Sequence, residues 1–410
     1  MLEILSDRTY RHLFAAQVVA LLGTGLASVA LGLLAYEFAG GDAGMVLGTV
    51  LTIKMVAYVL IAPVAGAFAG QVPRRAFLVT LDMVRAGAAL CLPFVNEIWQ
   101  IYALIFVLQS ASAAFTPTFQ ATIPDILPEE ERYTRALSLS RLAYDLENIA
   151  SPTLAALLLL LLSHEALFLG TAAGFAGSAL LVVSVLLPSP QTSEPRSIAD
   201  RTTRGIRLYL ATPRLRGLLA LCMAVSAAGA MVLVNSVVLV RGVLGLGQSA
   251  LGWTMAAYGA GSILAALALP QLLDRVPDRP VMLSGAALMA AVLAGLAGAI
   301  LLRGLDWPLL LGAWLLLGFG FSTVMTPSGR LLRRSAPPPD RPALFAAQFA
   351  LSHACWLVSY PLAGWLMTRF GTIPALLTLS ALAGASALVA ARVWPRRHGK
   401  TALDATGEDA

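Results

Sequence analysis

Long apolar segments, twelve of them, dominate this 410-residue chain and tie it to a membrane. A bilayer core about 30 Å thick is crossed by about 20 helical residues, because backbone groups in hydrocarbon must pair within their own segment. Runs of that length occupy 13–38, 45–69, 76–95, 98–119, 136–162 and 166–187 in the first half. In the second half they occupy 215–240, 251–273, 281–302, 307–326, 343–367 and 373–393. Charged residues make up 12 % of the chain and apolar ones 58 %. A soluble domain carries roughly 25 % charge, so a water-soluble enzyme is ruled against. A membrane-embedded enzyme is a separate class, but no H-E-x-x-H cluster and no G-x-x-x-x-G-K-[ST] phosphate loop occurs, and no cofactor is expected. The net charge of +6 is spread between apolar runs and not gathered into one patch, so nucleic acid is not an expected partner. Cys91, Cys222 and Cys355 all lie in apolar stretches and form neither a disulfide framework nor a close-spaced metal motif.

The polar connection 188–213, rich in Ser, Thr, Pro and Arg, divides the runs six and six. The expected organisation is therefore a six-helix bundle over 1–187, a linker over 188–213, a second six-helix bundle over 214–394 and a tail over 395–410. The fold class is an all-α membrane protein with twelve transmembrane helices in two bundles. The basic residues fall on one side: Arg8, Arg11, Arg74, Arg75, Arg132, Arg135, the linker arginines, Arg275, Arg279, Arg330, Arg333, Arg334, Arg341 and the tail. The other side receives little beyond Arg241, Arg303 and Arg369. Positive flanks stay in the cytoplasm, so both termini and the linker are expected there, in the cytoplasmic (inner) membrane. The first apolar run is too long for a cleaved secretion signal. Two echoes join the halves: Val72-Pro73 returns as Val276-Pro277, and Thr116-Pro117 as Thr326-Pro327. Such echoes are what duplicated transporter halves leave behind.

Together these features resemble the major facilitator superfamily, whose loop between helices two and three follows G-x-x-x-D-R-x-x-R-R. Here Gly66, Arg74 and Arg75 match, while Gly70-Gln71 replace the Asp-Arg pair. The second-half counterpart, 270–279, keeps Asp274-Arg275 and has Asp278-Arg279 in place of the arginine pair. In helix five, Ser151-Pro152-Thr153-Leu154-Ala155-Ala156 is similar to the G-P-x-x-G-G stretch of drug and proton antiporters. The stretches 121–125, 137–145, 351–356 and 360–365 resemble a bacterial branch of nickel-resistance exporters. Such exporters can carry a histidine-rich tail, whereas this tail has only His398. The resemblance implies a proton-coupled exporter of a divalent cation such as nickel or cobalt. Efflux of lipophilic or cationic drugs is the alternative, and a monomer is expected.

Charges within hydrocarbon cost at least about 2.5 kcal/mol each and so face a cavity or a partner. Glu147 lies roughly 16 Å along helix five at 1.5 Å per residue, near mid-membrane, and is a candidate for proton or cation binding. Asp145 is one turn from Arg141 and suits either a salt bridge or coupling. Two positions apart on a helix, Asp145 and Glu147 face different directions. Lys54 in helix two can neutralise a carboxylate or snorkel outward. His353 can relay a proton or ligate a borderline metal together with Glu147, and Cys355 is a second soft donor or a small core residue. Gln17, Asn148 and Asn235 are pathway candidates, with interhelical packing as the other reading. At the cytoplasmic face the resemblance implies a gate built from Arg74, Arg75, Asp82, Arg85, Asp274 and Arg275, with the arginine pair available to bond Asp82 or cap helix ends.

Overall fold

The computed structural model describes residues 2–39, 43–69, 71–159, 163–188 and 198–395, which contain no β-strand. Each apolar run is helical over most of its described residues. In the first half these are α1 (Arg8–Ala39), α2 (Ala43–Ala69), α3 (Arg74–Cys91), α4 (Ile98–Ile126), α5 (Glu130–Leu158) and α6 (His164–Val183). After the connection come α7 (Ile198–Ala211), α8 (Pro213–Val237), α9 (Gln248–Leu273), α10 (Asp278–Arg303), α11 (Trp307–Met325), the short α12 (Ser328–Arg333), α13 (Arg341–Phe370) and α14 (Thr372–Val393). A π-helical stretch, Val238–Val243, continues α8. Gly304 at φ 83° and Gly371 at φ 82° end α10 and α13 in a conformation that L side chains avoid.

Two departures from the sequence reading have physical causes. Among the described residues eleven helices are long and apolar enough to cross a membrane, and α5 is not one of them. Its first turns carry Arg132, Arg135, Arg141, Asp145 and Glu147, and it packs on α1 and α9. The connection read as a polar linker also holds a helix, α7. Ile206 and Tyr209, three apart, share its inward side while Arg207 is exposed. Its 14 residues are too few to resemble a span and too arginine-rich to stand out as apolar.

The first-half helices pack on one another, α1 on α6, α2 on α4, and α3 on α4 and α6. In the second half α9 lies on α11, α8 on α13 and α14, and α10 on α11 and α14. The halves meet along α2 with α13 and α5 with α9, and α7 touches both α2 and α13. Backbones approach closely where side chains are absent. A Cβ on Gly318 would overlap the Tyr258 carbonyl, and one on Gly261 the Leu315 carbonyl, so α9 and α11 pack at a distance that only small residues allow. Some polar groups inside pair across helices: the Trp314 indole of α11 donates to Ser236 Oγ of α8 at 2.8 Å. Large apolar side chains stand on the outside, Leu302 at 89 % and Phe94 at 79 % exposure, which water would penalise and lipid would not. The chain is an all-α, multi-spanning membrane protein.

Candidate functional site

Glu147 and Asp145 part company on α5, as their two-residue offset requires. Asp145 is buried and committed to Arg141, whose Nε donates to Oδ2 at 3.1 Å while Nη2 bonds Oδ1. The same Nε reaches Ser262 Oγ on α9 at 3.0 Å, and the guanidinium lies 4.5 Å from the Phe321 ring. This pair therefore bridges the two halves. Glu147, half-buried, turns towards α1 instead. A Cβ on Gly25 would overlap both Glu147 Oε1 and Ser151 Oγ, so the absence of a side chain on α1 makes room for the carboxylate.

Across the seam, α2 and α13 complete the cluster. Lys54 Nζ lies 5.6 Å from the Tyr58 ring centroid and acts electrostatically on both Glu147 and His353. Lys54 of α2 and His353 of α13 thus meet around the Tyr58 ring, and Glu147 of α5 lies within reach of the Lys54 charge. The His353 ring stands edge-on to Tyr58 at 4.8 Å and 4.2 Å from Phe349. Its Nδ1 is 2.7 Å from the Phe349 carbonyl. A carbonyl only accepts, so Nδ1 carries the hydrogen and the neutral ring keeps a lone pair on Nε2. The Tyr58 hydroxyl donates to Gln109 Oε1 at 3.0 Å. Gln17 accepts from Ser140 Oγ at 3.0 Å, with Tyr144 beside it.

Other candidates lie elsewhere. Asn235 donates to the Ala363 carbonyl at 3.2 Å and to Met231 Sδ at 3.3 Å, which joins α8 to α13 away from the cluster. Cys355 is buried and bonds the Leu351 carbonyl within its own helix. The side chain of Asn148 lies outside the described ones. Among the described residues no group of three His, Cys, Asp or Glu side chains converges to hold a metal ion, and Glu147 and His353 are two donors without a third.

The expected gate needs correcting. Asp82 does not bond Arg74 or Arg75. It is fully buried within α3 and pairs with Arg85, whose guanidinium is sandwiched 4.0 Å from Phe115 and 4.5 Å from Phe175. Arg75, Asp274 and Arg275 are exposed and make no ion pair among the described residues. Arg74 forms an ion pair with Asp125 at 2.6 Å, and Asp125 also takes Arg341 of the second half at 2.7 Å. Glu130 at the start of α5 meets Arg330 at 2.5 Å and Arg334 at 3.0 Å, while Arg334 also bonds Asp278 at 2.7 Å. Burial alone would push the Glu130 carboxyl up, but hydrogen bonds and charge from Arg334 and Arg330 outweigh it and hold it below the usual glutamate range. Arg204 of α7 grips Asp340 with two bonds of 2.7 and 2.8 Å, tying the linker helix to the same end. Among the described residues no ion pair joins the halves at the opposite end. Asp125 and Glu130 went unassigned in the sequence because their partners in the second half lie some 200 positions away and Arg74 lies on another helix. Their one local signal is acidity amid a basic face.

The model of the Major Facilitator Superfamily matches residues 13–247 and 219–409. An uncharacterized MFS-type transporter, YfiS of Bacillus subtilis, is 25 % identical over 300 residues, 70 % of each chain. Macrolide efflux protein A of Streptococcus pyogenes is 25 % identical over 151 residues, 36 % of each. Among solved structures, the human organic anion transporter MFSD10 (TETRAN) has a similar fold, with a TM-score of 0.79 at 15 % identity over 93 % of this chain and 99 % of that one. The family match runs through both halves and everything between them, and the chain belongs to the major facilitator superfamily, as a secondary transporter and not an enzyme.

Proposed function

We propose that this chain is a proton-coupled exporter of amphiphilic, cationic organic compounds in the cytoplasmic membrane. In this reading twelve helices, α5 included, form six-helix bundles over 1–187 and 214–394, joined by the linker 188–213 and followed by the tail 395–410. The chain works as a monomer with both termini and the linker face in the cytoplasm. The observation that carries it is the convergence of Glu147, Lys54 and His353 with the aromatic rings of Tyr58 and Phe349 at the seam between halves. Ionised Glu147 offsets the Lys54 charge and leaves room for a cationic substrate against aromatic faces. A proton arriving on Glu147 removes that attraction, and the Lys54 ammonium then repels the substrate. Protonation and substrate binding exclude one another, which is the condition for antiport. In this reading the Nε2 lone pair of His353 relays the proton.

Access alternates as the halves rock. The ion pairs of Asp125 and Glu130 hold the linker end shut in the state described here, and the opposite end lacks such bonds among the described residues. Efflux is also the activity named for macrolide efflux protein A, to which about a third of this chain is similar.

A second reading, export of nickel or cobalt, is favoured by one observation. Glu147 and His353 supply a carboxylate and an imidazole, donor types that suit a borderline divalent metal. Inverted vesicles separate the two. Uptake of a macrolide or a lipophilic cation that collapses an imposed pH gradient is the expected result. Gradient collapse by nickel alone would replace the first reading with the second.

A further inference from the structure

Between α10 and α11, at the end away from the ion-pair network, lies an open groove of about 570 Å³. Gly295 and Gly312 line it, and a Cβ on either would meet no atom within 4 Å, so the space is empty of protein. Its walls are apolar, Val292, Leu296 and Leu316 among them, and Leu316 is itself 43 % exposed. The groove therefore opens on the outside of the helix bundle, where lipid lies, and not on the seam.

Its mouth is charged. Arg303 closes α10 and Asp306 precedes α11; both line the groove, both are exposed, and neither makes an ion pair among the described residues. Asp306 Oδ1 caps α11 by accepting from the Leu309 amide at 2.7 Å, which leaves its second oxygen free of the cap. An apolar slot thus ends in one free cation and one free carboxylate oxygen. From Val292 to Arg303 the wall is about 16 Å long at 1.5 Å per residue, close to the roughly 15 Å depth of one leaflet of a 30 Å core.

We propose that this groove is a binding site for an aminophospholipid of the leaflet opposite the linker face. One acyl chain fills the slot beside Gly295 and Gly312. The phosphate sits on the Arg303 guanidinium, whose planar fork matches phosphate oxygens, and the primary ammonium of the headgroup sits on Asp306. A phosphatidylglycerol headgroup satisfies Arg303 alone and offers no cation to Asp306. The site is independent of the transport reading, since it lies on neither the seam nor the linker end.

Native mass spectrometry of the purified full chain, with phosphatidylethanolamine or phosphatidylglycerol added at equal concentration, tests this. Wild type is expected to retain phosphatidylethanolamine about tenfold better, the ratio that 1.4 kcal/mol supplies. Asp306→Asn keeps a residue that caps helices well and should erase that preference while phosphatidylglycerol still binds. Gly312→Leu fills the open space and should remove both lipids. Arg303→Gln, at an exposed position, provides an independent variant and should weaken phosphatidylethanolamine about tenfold. Equal retention of the two lipids by wild type, or unchanged phosphatidylethanolamine binding in Gly312→Leu and Arg303→Gln, would overturn the proposal. So would displacement of the lipid by an equal concentration of an uncharged alkyl glycoside.

Discussion

Gly25 controls how near α1 comes to the Glu147 carboxylate, because a single added methyl would overlap both Glu147 and Ser151. Overpacking of this kind costs about 1–3 kcal/mol. Gly25→Ala is therefore expected to lower the melting temperature and to depress proton-coupled transport in vesicles, and Ser151→Gly in the same chain should restore much of both. Recovery would fail if Gly25 were a passive spacer far from the carboxylate. A second residue-scale test concerns the Asp82 and Arg85 pair. Asp82→Asn leaves a guanidinium buried between Phe115 and Phe175 without its counter-charge. Breaking such a pair costs about 3–5 kcal/mol, so a lower melting temperature with unchanged substrate preference is expected. An unshifted melting temperature would mean that water reaches Arg85.

Helix ends, more than helix middles, hold the two halves together at the linker face. Asp125 at the end of α4 and Glu130 at the start of α5 take arginines from α12, α13 and the segment between them. Spin labels at the exposed, unpaired positions 75 and 275 report the width of this seam. Asp125→Asn and Glu130→Gln should each lengthen the distance between the labels. Acid should do the same in the parent chain. The Glu130 carboxyl is held below its usual value, so its contribution is complete above the ordinary glutamate value of about 4.3 and is lost as pH falls through the lowered one. With Glu130→Gln the acid-induced step should shrink, and an acid step of undiminished size would assign it to another carboxylate.

The starts and stops of these helices were largely legible in the sequence. Trp307 begins α11 and Leu273 ends α9 as the apolar pattern requires, while α4 and α5 extend further because their polar ends leave the apolar run without breaking the helix. Helix α7 was not legible, since its apolar side is a few residues among arginines. Of the candidate site, Glu147, Lys54 and His353 stood out as rare polar groups in apolar runs. Tyr58, Gln109 and Phe349 did not, because an aromatic or amide residue in a helix reads equally well as packing until the neighbouring helix is in place. The ion-pair partners escaped for the complementary reason: charges at a basic face are common, and only the tertiary fold brings Asp125 to Arg341.

At the scale of the whole molecule, the two halves of the chain touch along α2 with α13 and α5 with α9, and Lys54, Arg141, Asp145 and Glu147 lie on the helices of that contact while the Asp82 and Arg85 pair is buried within the first half. On the proposed reading such a seam has two states, one end closed by ion pairs while the other opens, and a proton or a substrate at Glu147 would shift the balance only through its different affinity for the two. The most direct measurement is proton release by the purified chain in weakly buffered detergent solution when a lipophilic cation or macrolide is added. Wild type should release a proton on binding, with the signal fading as the starting pH rises and Glu147 is already ionised, and Glu147→Gln should release none. Equal proton release from wild type and Glu147→Gln would contradict the coupling assigned to this carboxylate.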